Sequence, residues 1–316
     1  MTTTLHIPVM LDEVLEAMAP CSGAVYVDGT FGAGGYSRAL LESADCTVWG
    51  IDRDPLAVKN GVRMAADFPS RLTVLKGRYG DMADLLADVG VAQIDGLALD
   101  IGVSSMQIDD PARGFSFRFD GPLDMRMDKD GMSAADAVNR LAEKELADII
   151  YRYGEERASR KIARAIVELR EQSPITRTDQ LAELVRRVVR RSKDGIDPAT
   201  RTFQALRIYV NEELAELDRG LVAAAALLRE GGRLAAVSFH SLEDRRLKTF
   251  FQERSGAGPQ PSRHLPVQGD VAANIFEVPE RRGRVPSDAE TVRNPRARSA
   301  RLRWGIRTAA PLAEAA

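Results

Sequence analysis

The chain has 316 residues, enough to bury a sizeable core and to hold two domains or one domain with a large insertion. With 44% hydrophobic and 28% charged residues it reads as globular, and a net charge of −2 argues against wholesale attraction to polyanions, so any nucleic-acid contact has to come from local patches. Cys21 and Cys46 form no C-x-x-C pair and join no histidine cluster. They are expected to be reduced, buried small hydrophobes of a cytosolic protein, and no metal site is expected. No apolar run approaches membrane-span length, and the N-terminus lacks a basic region followed by an apolar core, so the chain is expected to be soluble, unexported and cytoplasmic.

His6 stands alone and is ambiguous between a structural and a chemical role. Met10, Leu11, Val14, Leu15 and Met18 then recur at helical spacing, which predicts an amphipathic helix over 9–18 whose apolar side is core. The stretch V-Y-V-D-G-T-F-G-A-G-G-Y-S-R (25–38) runs from an apolar strand into a helix through a turn with four glycines, Gly29, Gly32, Gly34 and Gly35. Such a turn presents unpaired backbone N–H groups at the edge of an α/β sheet, where anionic or nucleotide-like ligands dock. It departs from G-x-G-x-x-G, and a purely structural turn is the alternative at this point. The next apolar run, Val48 to Ile51, ends in Asp52, about 20 residues after the turn, the spacing at which a carboxylate receives the two hydroxyls of a cofactor ribose.

Pro55 fits the first turn of a crossover helix carrying Leu56, Val58, Val62 and Met64. Leu72, Val74 and Leu75 predict strand three, and Tyr79 just past it is placed either to cover an adenine ring or to be an ordinary surface aromatic. Strand four, Ile94 to Asp100, is followed at once by I-G-V-S-S-M-Q. Alternating strands and helices of this kind specify a doubly wound, Rossmann-like parallel sheet with its ligand crevice at the carboxyl ends of the strands, where Asp28, Asp52, Tyr79 and Asp100 all fall.

From Met106 to Arg201 no strand pattern is evident, and helices are predicted over 133–151, 155–171 and 179–191. This is read as an all-α domain (106–201) inserted into a sheet domain made of 1–105 and 202–316. The sheet resumes with a helix over 212–229 stopped by Gly231-Gly232, a buried strand over 233–239, and a helix opened by a capping box of Ser241 and Asp244. Residues 255–290 read as a loop, and 298–306 as a last edge strand.

The chemistry compatible with this sheet includes hydride transfer with a nicotinamide cofactor and methyl transfer. The second demands less, because the cofactor brings its own leaving group and the protein has only to align an acceptor, and the spread of Asp28, Asp52 and Asp100 suits it better. Cations concentrate on the predicted inserted helices (Arg157, Arg160, Lys161, Arg164, Arg186, Arg187, Arg190, Arg191), after them (Arg201, Arg207) and in the tail (Arg293, Arg296, Arg298, Arg301, Arg303). Charge alone leaves nucleic-acid contact and a solvated face paired with Glu155, Glu156, Glu168 and Glu183 equally open. Phe115, Phe117 and Phe119 offer rings for an unpaired base, or a core plug. A non-catalytic RNA-binding or assembly factor on the same fold is a third alternative.

Taken together, D-G-T-F-G-A-G-G-Y-S-R, D-R-D-P, L-D-I-G-V-S-S-M-Q, R-G-F-S-F, D-G-P-L-D-M-R-M-D, Y-G-E-E-R, P-A-T-R-T-F-Q-A-L-R-I, V-S-F-H-S-L-E-D-R and N-P-R-A-R-S resemble the MraW/RsmH family over nearly the whole chain. The resemblance implies a class I methyltransferase domain that uses S-adenosyl-L-methionine to methylate the exocyclic N4 of a decoding-centre cytidine in 16S rRNA of the small ribosomal subunit, in the cytoplasm, as a monomer or homodimer. It implies cofactor contacts from Gly34, Gly35 and Tyr36 at the methionine end, Asp52 on the ribose, Tyr79 by the adenine, and Asp100 and Gln107 completing the pocket. Tyr36 departs from the family, where histidine is expected, so that only a backbone contact is expected to carry over there. Because the cytosine N4 lone pair is delocalised into the ring, hydrogen-bond acceptors on its N–H groups favour the pyramidal transition state, and Asp100 or the Gly102–Ser105 backbone is expected to assist, with Ser104 among the candidates. Ser238, Phe239 and His240 are expected to shape the base pocket, with a structural hydrogen bond the alternative for His240.

Overall fold

In a computed structural model, which describes residues 8–190, 195–256 and 274–312, the chain divides into two compact units, residues 1–102 with 215–316 and residues 103–214. The first unit opens with α1 (Leu11–Met18), which buries Val14, Ala17 and Met18. Strands and helices then alternate: β1 (Val25–Asp28), α2 (Gly35–Ser43), β2 (Thr47–Asp52), α3 (Pro55–Met64), β3 (Leu72–Lys76), α4 (Met82–Ala87) and β4 (Ile94–Asp100). Asp54 caps α3 by accepting the Leu56 amide at 2.9 Å, with Pro55 in the first helical position where a missing N–H costs nothing.

The second unit is helical: α5 (Ser105–Asp109), α6 (Ala134–Arg140), α7 (Glu143–Gly154), α8 (Ser159–Arg170), α9 (Thr178–Val188) and α10 (Ala199–Asn211). Its core is its own, built on Leu123, Met125, Val138, Ile150, Ile162, Leu181 and Phe203. The single helix predicted over 133–151 is two, because Leu141 and Ala142 are extended and the Arg170 guanidinium donates to the Val138 and Leu141 carbonyls that end α6. The expected boundary at 201/202 falls inside α10, which the sequence reading did not assign. That helix packs on α6, α7 and α9, so the unit extends to residue 214, and at its other end it begins at 103.

The chain returns through α11 (Glu213–Leu227), β5 (Leu228–Ser238), α12 (Ser241–Arg254), β6 (Phe276–Glu277), α13 (Asp288–Arg293) and β7 (Arg301–Arg307). Gly231 and Gly232 lie within β5 rather than beyond a helix end; Gly231 has φ +77, and the β4–β5 register shifts between Ile94 and Gly96 to accommodate it. The cap of α12 is His240 with Glu243, one residue earlier than the predicted Ser241 and Asp244. Cys46 is buried as expected, whereas Cys21 is exposed. His6, Arg191 and part of the predicted 255–290 loop lie outside the described residues.

The sheet runs β3-β2-β1-β4-β5-β7-β6, parallel except for β7, which is antiparallel to β5 and β6. This is the doubly wound, largely parallel sheet that the alternation of strands and helices predicted. β7 is flanked on both sides, so the edge belongs to β6 and not to the predicted last strand. Both faces are covered, and successive residues serve opposite cores: Tyr26 packs with α1 and α2, Val27 with α4 and α11. Among the described residues no helix is long and apolar enough to cross a membrane.

Candidate cofactor site

β1 lies between β2 and β4, so the connections leaving it diverge and open a crevice at the carboxyl ends of these strands. The turn after β1 is stitched to both neighbours, the Gly29 amide to the Ala98 carbonyl and the Phe31 amide to the Ile51 carbonyl, each at 3.0 Å. Asp28 is buried and pins the turn to α2, accepting from Ser37 Oγ (2.7 Å), the Ser37 amide (3.2 Å) and the Thr30 amide (3.3 Å). Its oxygens are thus engaged in holding the loop.

Gly34 is the N-cap of α2 with φ +79 and no side-chain cap, which leaves first-turn amides of the helix for a ligand. A Cβ there would lie 2.7 Å from Met64 Sδ, and one at Gly35 would lie 2.2 Å from Pro8 Cγ. Tyr36 points inward: its ring is buried, and its hydroxyl donates to the Val9 carbonyl at 2.6 Å. Only its backbone faces the turn's task, and the side chain serves the core.

Two carboxylates end the strands on either side of β1. Asp52 accepts the Gly32 amide on Oδ2 at 2.7 Å and the Asp54 amide on Oδ1 at 2.8 Å, so it is fixed in orientation with lone pairs left for a vicinal diol. Burial outweighs those two bonds and pushes its pKa up to about 6. Asp100 donates its backbone amide to Thr30 Oγ1 at 2.6 Å, but its buried Oδ1 has no hydrogen-bond partner among the described residues. Burial, then the nearby Asp28 and Glu243 charges, push the Asp100 carboxyl up to about 8. A buried oxygen without a partner among the described residues, near two acids, is suited to receive a cation or a hydrogen-bond donor.

Tyr79 is half-buried past the end of β3, with its ring against Gly220 of α11 and its Cβ over Gly29. At the end of β5, Glu243 is fully buried, and its Oε2 accepts the Phe239 and His240 amides at 2.8 and 3.2 Å. His240 Nδ1 in turn accepts the Glu243 amide at 3.4 Å, so this histidine is engaged in capping α12, the structural alternative left open above. Ser104 and Gln107 belong to the second unit and cap α5 reciprocally: Ser104 Oγ accepts the Gln107 amide at 3.3 Å, and Gln107 Oε1 accepts the Ser104 amide at 3.0 Å.

A model of the MraW methylase family matches residues 3–308. The chain belongs to the MraW methylase family. It is 65% identical over 308 residues to the ribosomal RNA small subunit methyltransferase H of Rhodospirillum centenum, covering 98% of this chain and 94% of that one. The like-named protein of Paramagnetospirillum magneticum is 60% identical, over 97% and 96%. Among solved structures, an rRNA methylase from Streptococcus thermophilus aligns with a TM-score of 0.44 at 8% identity, over 97% of this chain and 99% of that one. The methylase family replaces the hydride-transfer alternative, and its methyl donor is S-adenosyl-L-methionine. The donor set fits that group: helix amides at Gly35 and Tyr36 (the Gly34 amide is spent on the Phe31 carbonyl at 2.7 Å), a carboxylate with lone pairs left at Asp52, and at Asp100 a buried oxygen, without a hydrogen-bond partner among the described residues, suited to a cationic ligand.

Sequence reasoning did not single out Thr30, which ties β4 to the turn, or Glu243; the latter was legible as the acid three residues after His240. Of the cations singled out on the second unit, Arg157, Arg160, Lys161 and Arg190 have no ion pair among the described residues, and the other described ones are engaged. Arg164, Arg187, Arg186 and Arg207 pair with Glu168, Glu183, Asp197 and Glu213. Of the three phenylalanines, Phe115 is buried, Phe117 is half-buried and stacks edge-on to Phe203 at 4.8 Å, and Phe119 is 63% exposed, the most open of the three.

Proposed function

We propose that this methylase transfers a methyl group to the exocyclic N4 amine of a decoding-centre cytidine in 16S rRNA of the small ribosomal subunit, in the cytoplasm, as a monomer or homodimer. Membership of the family, and the small-subunit rRNA methyltransferases that are its relatives, support an rRNA substrate. The observation that carries the site assignment is the unpaired Asp100 Oδ1 at the end of β4, tied through Thr30 to the turn that also fixes Asp52.

In this reading Gly34, Gly35 and Tyr36 hold the methionine end, with the Gly35 and Tyr36 amides as the donors, Asp52 holds the ribose hydroxyls and Tyr79 borders the adenine, with Asp100 and Gln107 completing the pocket. When bound, the cofactor supplies an electrophilic methyl on a sulfonium, whose positive charge favours the ionised form of Asp100. That carboxylate then accepts a hydrogen bond from the N4–H of the flipped base, which raises electron density on a nitrogen otherwise conjugated into the ring. Ser104 is the second assisting group we propose, and the helical unit (106–201 in the sequence reading) contributes to RNA recognition through Phe119 and its unpaired cations.

Small subunits from a strain lacking this chain, incubated with the protein and isotope-labelled S-adenosyl-L-methionine, test the proposal by mass spectrometry of the rRNA nucleosides. Label in N4-methylcytidine at one decoding-centre position is expected. Label in another nucleoside, or tight RNA binding without turnover, overturns it.

A further inference from the structure

Residues 274–312 carry nine arginines against four acids, five positive charges in excess within a chain whose net charge is −2. The excess is not neutralised locally. Arg284 pairs with Glu16 and Glu280, Arg303 with Asp244, and Arg301 lies 3.8 Å from Asp244. Glu290 is buried and accepts the Met10 amide at 2.7 Å. Arg307 is buried and donates to the Ala225, Thr308 and Ala310 carbonyls, and Arg296 is also engaged; Arg281, Arg282, Arg293 and Arg298 remain exposed, with no ion pair among the described residues.

Their place in the fold is defined. Arg301, the first residue of β7, is in register with Ser238, the last residue of β5, and β7 therefore starts where β5 ends. Asp100 is in register with Val237 and Val237 with Leu302, so this start lies two strand spacings, about 10 Å, from Asp100 along the same carboxyl edge. Arg293 and Arg298 lead directly into it. Arg281 and Arg282 are held beside it, their carbonyls accepting from Arg303 Nη1 (3.1 Å) and Arg301 Nη1 (2.8 Å). The bond from Glu290 to Met10, and that from the Tyr36 hydroxyl to Val9, tie α13 by way of α1 to the glycine turn.

We infer that Arg281, Arg282, Arg293 and Arg298 form a phosphate-gripping rim, on the methyltransferase unit itself, which holds the rRNA backbone beside the base that is methylated. The inference rests on the rRNA reading above and adds the surface by which the substrate is gripped. Arginine suits the role because its planar fork meets phosphate oxygens in pairs and is weakly hydrated. Contacts of this kind carry no sequence information; they set register and affinity.

The test compares the parent with a variant carrying Arg281→Gln, Arg282→Gln, Arg293→Gln and Arg298→Gln. Binding to naked 16S rRNA and to small subunits lacking the modification is measured across a potassium chloride series, alongside the melting temperature and S-adenosyl-L-methionine affinity by calorimetry. The expected result is an unchanged fold and cofactor affinity, with the slope of log K against log salt reduced by about 3 on both substrates, since each phosphate contact contributes about 0.7–0.9. An unchanged slope in a variant that melts and binds cofactor like the parent overturns the rim but not the rRNA reading. A slope reduced on subunits and not on naked RNA assigns the arginines to a ribosomal protein and also overturns it. Failure of the parent to bind or methylate either substrate overturns both.

Discussion

The Thr30 hydroxyl oxygen accepts the Asp100 backbone amide at 2.6 Å, and two residues later the Gly32 amide donates to Asp52 at 2.7 Å. One short turn thereby sets the positions of the last residues of β2 and β4, which are not neighbours in the sheet. Thr30→Val keeps the shape and removes the acceptor, leaving the Asp100 amide unpaired. An unsatisfied buried amide costs about 1–3 kcal/mol, and we expect a loss of stability of that order with cofactor affinity reduced about tenfold. Thr30→Ser restores both. Urea unfolding and calorimetry check it, and a Thr30→Val protein with parental affinity contradicts it.

The Asp100 carboxyl gives a pH dependence of defined sign. Its pKa rises from 3.8 in the unfolded chain to about 8 in the fold, so between those values the unfolded chain has released a proton that the folded one keeps. Its contribution to stability therefore falls as pH rises from about 4 to about 8. Asp100→Asn removes this titration. Without cofactor, the variant is expected to melt above the parent at pH 8, with the difference shrinking toward pH 4. Asp52 titrates in both proteins and cancels in the comparison. A variant that melts below the parent at pH 8 contradicts the placement.

Gly35 is required by its neighbour more than by its backbone angle. A Cβ would sit 2.2 Å from Pro8 Cγ, and a proline ring has little freedom to move away. Gly35→Ala is expected to cost about 1–3 kcal/mol by overpacking and to weaken cofactor binding. Adding Pro8→Gly is expected to recover most of the binding. Equal losses in the single and double variants indicate that the amide, not the ring above it, is at fault.

Asn211 closes the second unit. Fully buried at the end of α10, it accepts the Met127 amide at 2.9 Å and donates to the Met125 carbonyl at 2.8 Å, holding a loop in which Met125 has φ +64. Asn211→Ala is expected to destabilise this unit by about 2–3 kcal/mol, visible as faster hydrogen exchange in residues 121–130 before global unfolding. Unchanged exchange there contradicts the assignment.

The strands β1, β2 and β4 were legible because each is a largely apolar run ending in an acid, and those acids mark the crevice without any structure. What the sequence hid is non-local. That Tyr36 faces the core depends on Val9, 27 residues away, and that β7 is internal depends on the two-residue β6, too short for any period to register. α10 escaped because its buried face is set by α6, α7 and α9 and not by a stripe separable from the flanking Thr and Arg residues. The cap of α12 shifted by one residue because a histidine ring nitrogen can take the place usually held by a serine hydroxyl.

The central claim is that the carboxyl edge at Asp52 and Asp100 receives the methyl donor, and a crystal of the protein with S-adenosyl-L-homocysteine tests it most directly. The account predicts the ribose hydroxyls on Asp52, the adenine by Tyr79 and the amino acid end at Gly34 and Gly35. A ligand bound elsewhere, or with its sugar remote from Asp52, contradicts it.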